Sequence, residues 1–326
     1  MNSVFNFNRA GICASLLAVY LCTPLAANAC SSCGCTLSSD WSTQGVSGGE
    51  GLHFDIRADY FTQDQMRHGT DAVSRTAVPA GTEVQEETIN RNLSLALDYA
   101  FNPDWSVNVM VPLYSRTHST FGDGSSGIAY PDPAAINTSA SSGIGDIKVT
   151  TRYSGFSADH SFGIIAGLKL PTGETKDTFS DGSALDRGLE LGSGTSDLLV
   201  GGYHFGTINR DWDYFSQAVL QIPLDSHDDF RPGDGLNVTA GVRYMSFDNF
   251  IPQLQVNARL EKRESGGQAD VPNSGATLVY LSPGVTVPVS KQLQLYGFLQ
   301  LPILQRVNGY QLETQAVASV GLHYNF

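Results

Sequence analysis

The last twelve residues, Gln315 to Phe326, sort their side chains by parity. Ala316, Ala318, Val320, Leu322, Tyr324 and Phe326 fall on one side of an extended strand, and Gln315, Ser319, Gly321, His323 and Asn325 on the other, because successive side chains point to opposite faces. One face suits lipid and the other suits water. An amphipathic edge strand of a soluble sandwich could carry this pattern once, but it would not need it along the whole chain. Here it recurs: from Gly51 onward, about twelve stretches of roughly 10 to 14 residues alternate in the same way, close to the length at which a tilted strand crosses a bilayer.

The first of these stretches is the clearest. Leu52, Phe54, Ile56, Ala58 and Tyr60 oppose His53, Asp55, Arg57 and Asp59, and in the next Leu93, Leu95, Leu97 and Tyr99 oppose Asn92, Ser94, Ala96 and Asp98. Further along, Ile147, Val149, Thr151 and Tyr153 oppose Asp146, Lys148 and Arg152; Phe162, Ile164, Ala166 and Leu168 oppose Lys169; Leu199, Tyr203 and Phe205 oppose His204. Connections alternate between short turns, near Asn102, Ala158, Asn209, Asn249 and Ser290, and long loops, near Gly81, Ser126, Thr178, Asp229 and Gly266, with a smaller loop near Asn308. Aromatic residues gather at the short-turn end, as in a girdle at a lipid boundary. Four apolar-Pro pairs, Val111-Pro112, Leu170-Pro171, Ile222-Pro223 and Leu301-Pro302, read as strand ends at a rim, since proline has no N–H for a central ladder. The expected fold class is all-β: a closed antiparallel transmembrane β-barrel of about twelve strands over residues 51–326.

Composition agrees. With Gly 34, 10% aromatic and 16% charged residues, the chain lacks the surplus of helix formers seen in helical proteins. A mean hydropathy of −0.12 fits a barrel whose polar lumen offsets its lipid-facing side chains. Arg9, the apolar run Ala10 to Leu21, Pro24 and Ala27-Asn28-Ala29 read as a secretory signal over residues 1–29, too short to span a bilayer. The expected location is therefore the outer membrane of a Gram-negative bacterium, with lipid around the barrel and both termini in the periplasm. A net charge of −13 argues against a nucleic-acid partner.

Residues 30–50 form a Cys-rich periplasmic segment, Cys30-Ser31-Ser32-Cys33-Gly34-Cys35 and a Gly-rich run containing Gly45, Gly48 and Gly49 that can enter the lumen as a plug or reach a partner. Gly34 after Cys33 rules out covalent haem attachment, which needs CxxCH. A disulfide among Cys30, Cys33 and Cys35 suits an oxidising periplasm, and lipidation of Cys30 is a second reading, although Ala27 suits it poorly. A third is a soft or borderline metal, copper or zinc, held by the three thiols with His53 and His323. No cofactor is required by the rest of the chain.

By alternation the lumen receives Asp55, Asp59, Asp98, Asp146, Asp213 and Glu261 against Arg57, Lys148, Arg152, Lys169, Arg243 and Arg259. Such charges are tolerated in a membrane when they face water or each other. They describe either a mixed-sign polar conduit or a salt-bridged interior that stiffens an obstructed barrel. His53, His204 and His323 are expected to face the lumen near the periplasmic end. His118-Ser119 is the one weak match to a hydrolase pair, and His118 is read as a loop histidine, so no catalytic residue is assigned and the protein is not expected to be an enzyme.

Two resemblances add to this. A chain that stops on Phe326 at the end of such a strand resembles outer-membrane barrels whose terminal aromatic residue is part of the signal read by the barrel assembly machinery. The combination GIGDIKVTTRY, GLKLPTGETKD and GSGTSDLLVGGYHFG, spanning roughly Gly143 to Phe326, resembles the outer-membrane family named for the meta-pathway of phenol degradation, also called simply transporter. The resemblance implies a membrane barrel that moves small, hydrophobic or aromatic solutes. The alternative is a structural or interaction barrel whose cysteine segment binds a metal or engages a periplasmic redox or metal-carrier protein.

Overall fold

In a bilayer a backbone N–H or C=O has no water to turn to, so every strand must find partners on both sides. The computed structural model describes residues 41–44, 49–79, 82–121 and 136–326; residues 1–29, read as a secretory signal, and Cys30, Cys33 and Cys35 lie outside these. The strands are β1 (Gly51–Gly69), β2 (Asp71–Ala72), β3 (Val84–Ala100), β4 (Trp105–Phe121), β5 (Ile136–Ile144), β6 (Ile147–Tyr153) and β7 (Phe162–Leu170). They continue with β8 (Asp197–Asn209), β9 (Trp212–Pro223), β10 (Gly235–Tyr244), β11 (Ile251–Glu261), β12 (Ala276–Pro288) and β13 (Leu293–Asn325). Each runs antiparallel to its neighbour, β2 and β5 sit at the rim, and the other eleven form a ring that closes where β1 pairs β13.

The 33-residue β13 turns back on itself at Gly309, whose φ of 53° lies in the left-handed region that glycine adopts without strain. Its first half runs along β12 and its second along β1, and the Gln305 side chain bonds the Thr314 backbone in both directions across the fold. Counted as staves, the described ring therefore has twelve. The loop expected near Asn308 is this tight reversal.

Parity sets the two faces. On β1, His53, Asp55, Arg57, Asp59, Phe61 and Gln63 are buried inside, while Ala58 and Tyr60 are exposed outside. Leu97, Ile164, Leu168, Leu220, Leu254, Val256, Leu299 and Leu301 are exposed on the outer face around the ring. An apolar surface of that extent has no reason to form unless lipid covers it. Toward the short turns it ends in touching aromatic rings, Trp105 on Tyr153, Phe156 on Phe162, Trp212 on Tyr244 and Tyr324 on Phe326.

Strand β8 departs from the expected faces. Leu199 and Tyr203 are buried inside and His204 is exposed outside, where its Nδ1 meets the Tyr214 hydroxyl. The lumen stretch of β8 is apolar, so hydrophobicity alone assigns it backwards. Its parity follows from Asp197, held inside by Lys169, and from Gly163, where a Cβ would stand 2.5 Å from the Tyr203 ring.

Two of the four prolines expected at strand ends also lie within strands. Pro112 sits inside β4, where β4 changes partner from β6 to β5 and the Pro112 carbonyl accepts from the Gly145 N–H. Pro302 sits at the register shift between β12 and β13. Bulges and partner changes are places where a missing donor is harmless.

If the outer belt faces lipid, Val256→Arg at the middle of β11 should lower stability by about 2–4 kcal/mol in urea titrations of the barrel folded into lipid vesicles. Gln268→Arg, in the loop after β11, should leave it unchanged; equal effects would argue against a membrane-facing wall.

Candidate functional site

Inside the ring, charge is arranged in pairs, some between strands and some two residues apart on one strand. Arg57 donates to Asp59 at 3.0 Å, Arg152 meets Asp98 at 2.5 Å, Lys169 meets Asp146 at 2.7 Å and Asp197 at 3.2 Å, Arg259 meets Glu261 at 2.6 Å, and Arg243 lies 4.0 Å from Asp213. Eleven of the twelve charged residues assigned to the lumen by alternation fall into these pairs or, for Asp55, into hydrogen bonds; the twelfth is Lys148. Such pairs add little net stability, yet removing one partner strands a buried charge.

The short-turn end is closed by the segment that precedes β1. Trp41 begins a single 3-10 turn, Trp41–Gln44, and is 4% exposed within the lumen. Its indole Nε1 donates to Asp55 at 2.8 Å and its ring lies 4.7 Å from that of Tyr296, whose hydroxyl donates to the same carboxylate at 2.9 Å. Arg243 donates to the Gln44 carbonyl at 2.7 Å. Asp55 lies between two strong donors, and Trp41, Tyr296 and Phe298 form a small apolar core inside the pore. Neither Trp41 nor Tyr296 stands out in the sequence, since their partner Asp55 is fixed only by ring closure.

His53 and His323 meet beside this plug. Their rings stack at 6.1 Å, and the Asn325 side-chain oxygen lies 2.6 Å from His53 Nδ1 and 3.0 Å from His323 Nε2. That amide binds the histidines to each other and to the chain end. Among the described residues no group of three or more His, Cys, Asp or Glu is placed to hold a metal ion. Cys30, Cys33 and Cys35 lie outside the described residues, and the thiol-histidine arrangement lies outside them too. The third histidine expected inside, His204, is on the outer face.

The long-loop end is closed by residues 171–196, between β7 and β8. Asp146, at the break between β5 and β6, holds this loop: its carboxylate accepts from Lys169, from the Gly173 N–H at 3.1 Å, and from the Ser193 N–H and hydroxyl at 3.0 and 2.9 Å. Arg116 reaches from β4 to the Leu189 carbonyl at 2.6 Å, and Arg187 donates to the carbonyls of Thr175 and Ser193. Gly173 and Gly192 cross so closely that a Cβ on either would lie 2.6 Å from the other's Cα. Glu190 is buried in the same loop, accepts from the Asp177 N–H, and is pushed up to about 7 by that burial.

Between the two closures lies a cavity of about 350 Å³, lined by polar, charged and apolar side chains together, among them Lys148, Lys169, Arg259, Ile165, Leu199 and Val219. His118, read from sequence as a loop residue, is instead buried on β4, its Nδ1 2.8 Å from the Thr88 hydroxyl and its ring near Phe179. β4 extends past Pro112 because β5 pairs it there.

Asp146→Ala, which removes the acceptor of four donors, should cost about 3–5 kcal/mol of local stability and speed trypsin cleavage after Lys176 and Arg187 at least about tenfold. Glu190 is raised from its ordinary value, so the loop's stability from this group is full below about pH 4.5 and is lost as pH rises through about 7. A spin label at Thr178→Cys, with Cys30, Cys33 and Cys35 replaced by Ser, should gain mobility between pH 6 and 8; Glu190→Gln should abolish the change.

No family model matches the chain, and no curated protein matches it in sequence. Solved structures share the architecture. A crystal structure of an outer membrane channel from Pseudomonas putida F1 superposes with a TM-score of 0.64 at 14% identity, over 89% of this chain and 100% of that one. The CymD monoaromatic hydrocarbon channel aligns at 0.44 and 10% identity, over 86% of this chain and 89% of its own, and the NanC porin at 0.45 and 9%, over 84% and 100%. On the first, and on its own closed ring, the chain has the fold of an outer-membrane channel barrel.

Proposed function

We propose that the protein is a passive outer-membrane channel for small, hydrophobic or aromatic solutes, with the short turns and both termini on the periplasmic side. The observation that carries this is a lipid-belted barrel whose interior is a chamber closed at both ends by separate segments, not a solid core. At about 350 Å³ the chamber falls at the lower end of the range for small-molecule sites, roughly 300–1,000 Å³. Ile165, Leu199 and Val219 give it an apolar side. The resemblance of Gly143 to Phe326 to the phenol-degradation transporter family supports the same solute class. Phe326, exposed at the end of β13 with its N–H bonded to the Leu52 carbonyl, suits the assembly signal. No catalytic role is assigned to His118, whose near partner is a threonine hydroxyl.

The two closures make the channel gated by its own chain. Trp41→Ala removes the donor to Asp55 and the ring on Tyr296 while leaving the wall intact. It should raise single-channel conductance in planar bilayers several-fold. In vesicles with lipopolysaccharide in the outer leaflet, the wild type should speed uptake of a small aromatic solute over that of a sugar of similar size. Rates equal to those of empty vesicles for both, in wild type and Trp41→Ala alike, would overturn the channel reading.

A further inference from the structure

We propose that the lumen chamber binds an amphiphilic organic monoanion, its carboxylate held by Lys148 and its apolar body lying on Leu199, Ile165 and Val219. The proposal rests on the channel reading and narrows its solute class.

The chain as a whole is strongly acidic, at −13, yet six cationic and five acidic side chains line the chamber. The cations are not equivalent. Arg57, Lys169 and Arg259 are each bridged to a carboxylate, and Arg116 and Arg187 are tied to loop carbonyls. Lys148 has no hydrogen bond or ion pair among the described residues. Its cross-strand neighbours are Met110 on β4 and Lys169 on β7, neither of which can serve it as a counter-ion.

The nearby acids are committed elsewhere. Asp146 holds Lys169, Gly173 and Ser193. Asp197 meets Lys169, accepts from the Thr195 hydroxyl at 2.8 Å, and accepts from the Gln221 amide at 2.5 Å. An ammonium lining a cavity with no acceptor of its own is an incomplete pair, and a ligand carboxylate completes it.

Register supplies the rest of the ligand. Lys148 stands in one inward row with Lys169 and Asp197; the next row toward the short turns holds Thr150, Gly167, Leu199 and Gln221; the one after holds Arg152, Ile165, Gly201 and Val219. Successive inward rows are about 7 Å apart, so the apolar side chains begin about 7 Å from the ammonium row and continue to about 13 Å. Leu199 and Ile165 are buried. A lone lysine is a point charge suited to one carboxylate, whereas a dianion would want a second unpaired cation or a guanidinium fork.

The test compares decanoate, decanol and decylammonium, matched in chain length, by equilibrium dialysis against the full-length protein in nanodiscs. The wild type should bind decanoate at least about tenfold more tightly than decanol, with decylammonium weakest, as a charge-assisted hydrogen bond requires. Lys148→Gln should bring decanoate and decanol to near parity, and Lys148→Arg should keep the preference. Equal binding of decanoate and decanol by the wild type, or an undiminished preference in Lys148→Gln, would overturn the proposal. The wild-type comparison stands even if the variant does not fold. Flux of a neutral aromatic solute separates the two readings: a conducting barrel without carboxylate preference sinks only the anion site, while a sealed barrel that binds decanoate through Lys148 sinks only the channel.

Discussion

The pairing of β1 with the second half of β13 is the contact on which the molecule depends. Without it the sheet has two long edges of unpaired backbone groups, a cost no membrane would tolerate. The register of that seam, His53 against Asn325, Asp55 against His323 and Arg57 against Gly321, also creates the short-turn end of the lumen. Asp55 gains its two donors only because Tyr296 and Trp41 are brought over it when the ring closes. Gly321 is small for the same reason: a Cβ there would stand 2.3 Å from the Tyr296 ring.

Within the closed wall, the two ends of the lumen are shut by different physics. At the short-turn end the stopper is aromatic, a tryptophan wedged against tyrosine and phenylalanine and pinned by one carboxylate. At the other end the stopper is a loop tied by hydrogen bonds to Asp146 and Arg116 and braced within itself by Arg187. An aromatic wedge packs as a unit and releases as a unit. A loop held by a buried carboxylate and bearing a second acid poised near neutrality responds to proton concentration as well as to contact.

The charges of the wall are arranged so that the lumen is polar without carrying a strong net field. Opposite charges set side by side on the inner face cancel each other's field, so a lining rich in ions need not attract ions in general. On the proposed reading, selectivity then comes from what is left over, Lys148, unpaired among the described residues, beside an apolar patch, and not from the sign of the whole protein.

Sequence alone determined the wall. Side-chain parity is a local property of an extended chain, so Asp55, Arg57, Asp98, Lys169 and Glu261 could be placed on the inner face without knowing their partners, and the girdle and the turns followed from the same rhythm. It failed at β8, where the lumen face is apolar and polarity therefore points the wrong way, and at His118, because nothing local reveals that β5 prolongs β4. Only the tertiary structure decided the contents of the lumen. Trp41 and Tyr296, separated by most of the chain, meet on one carboxylate, and the 171–196 loop turns inward because Asp146 and Arg116 wait there for it. Those contacts are long-range and depend on ring closure, and no period in the sequence records them.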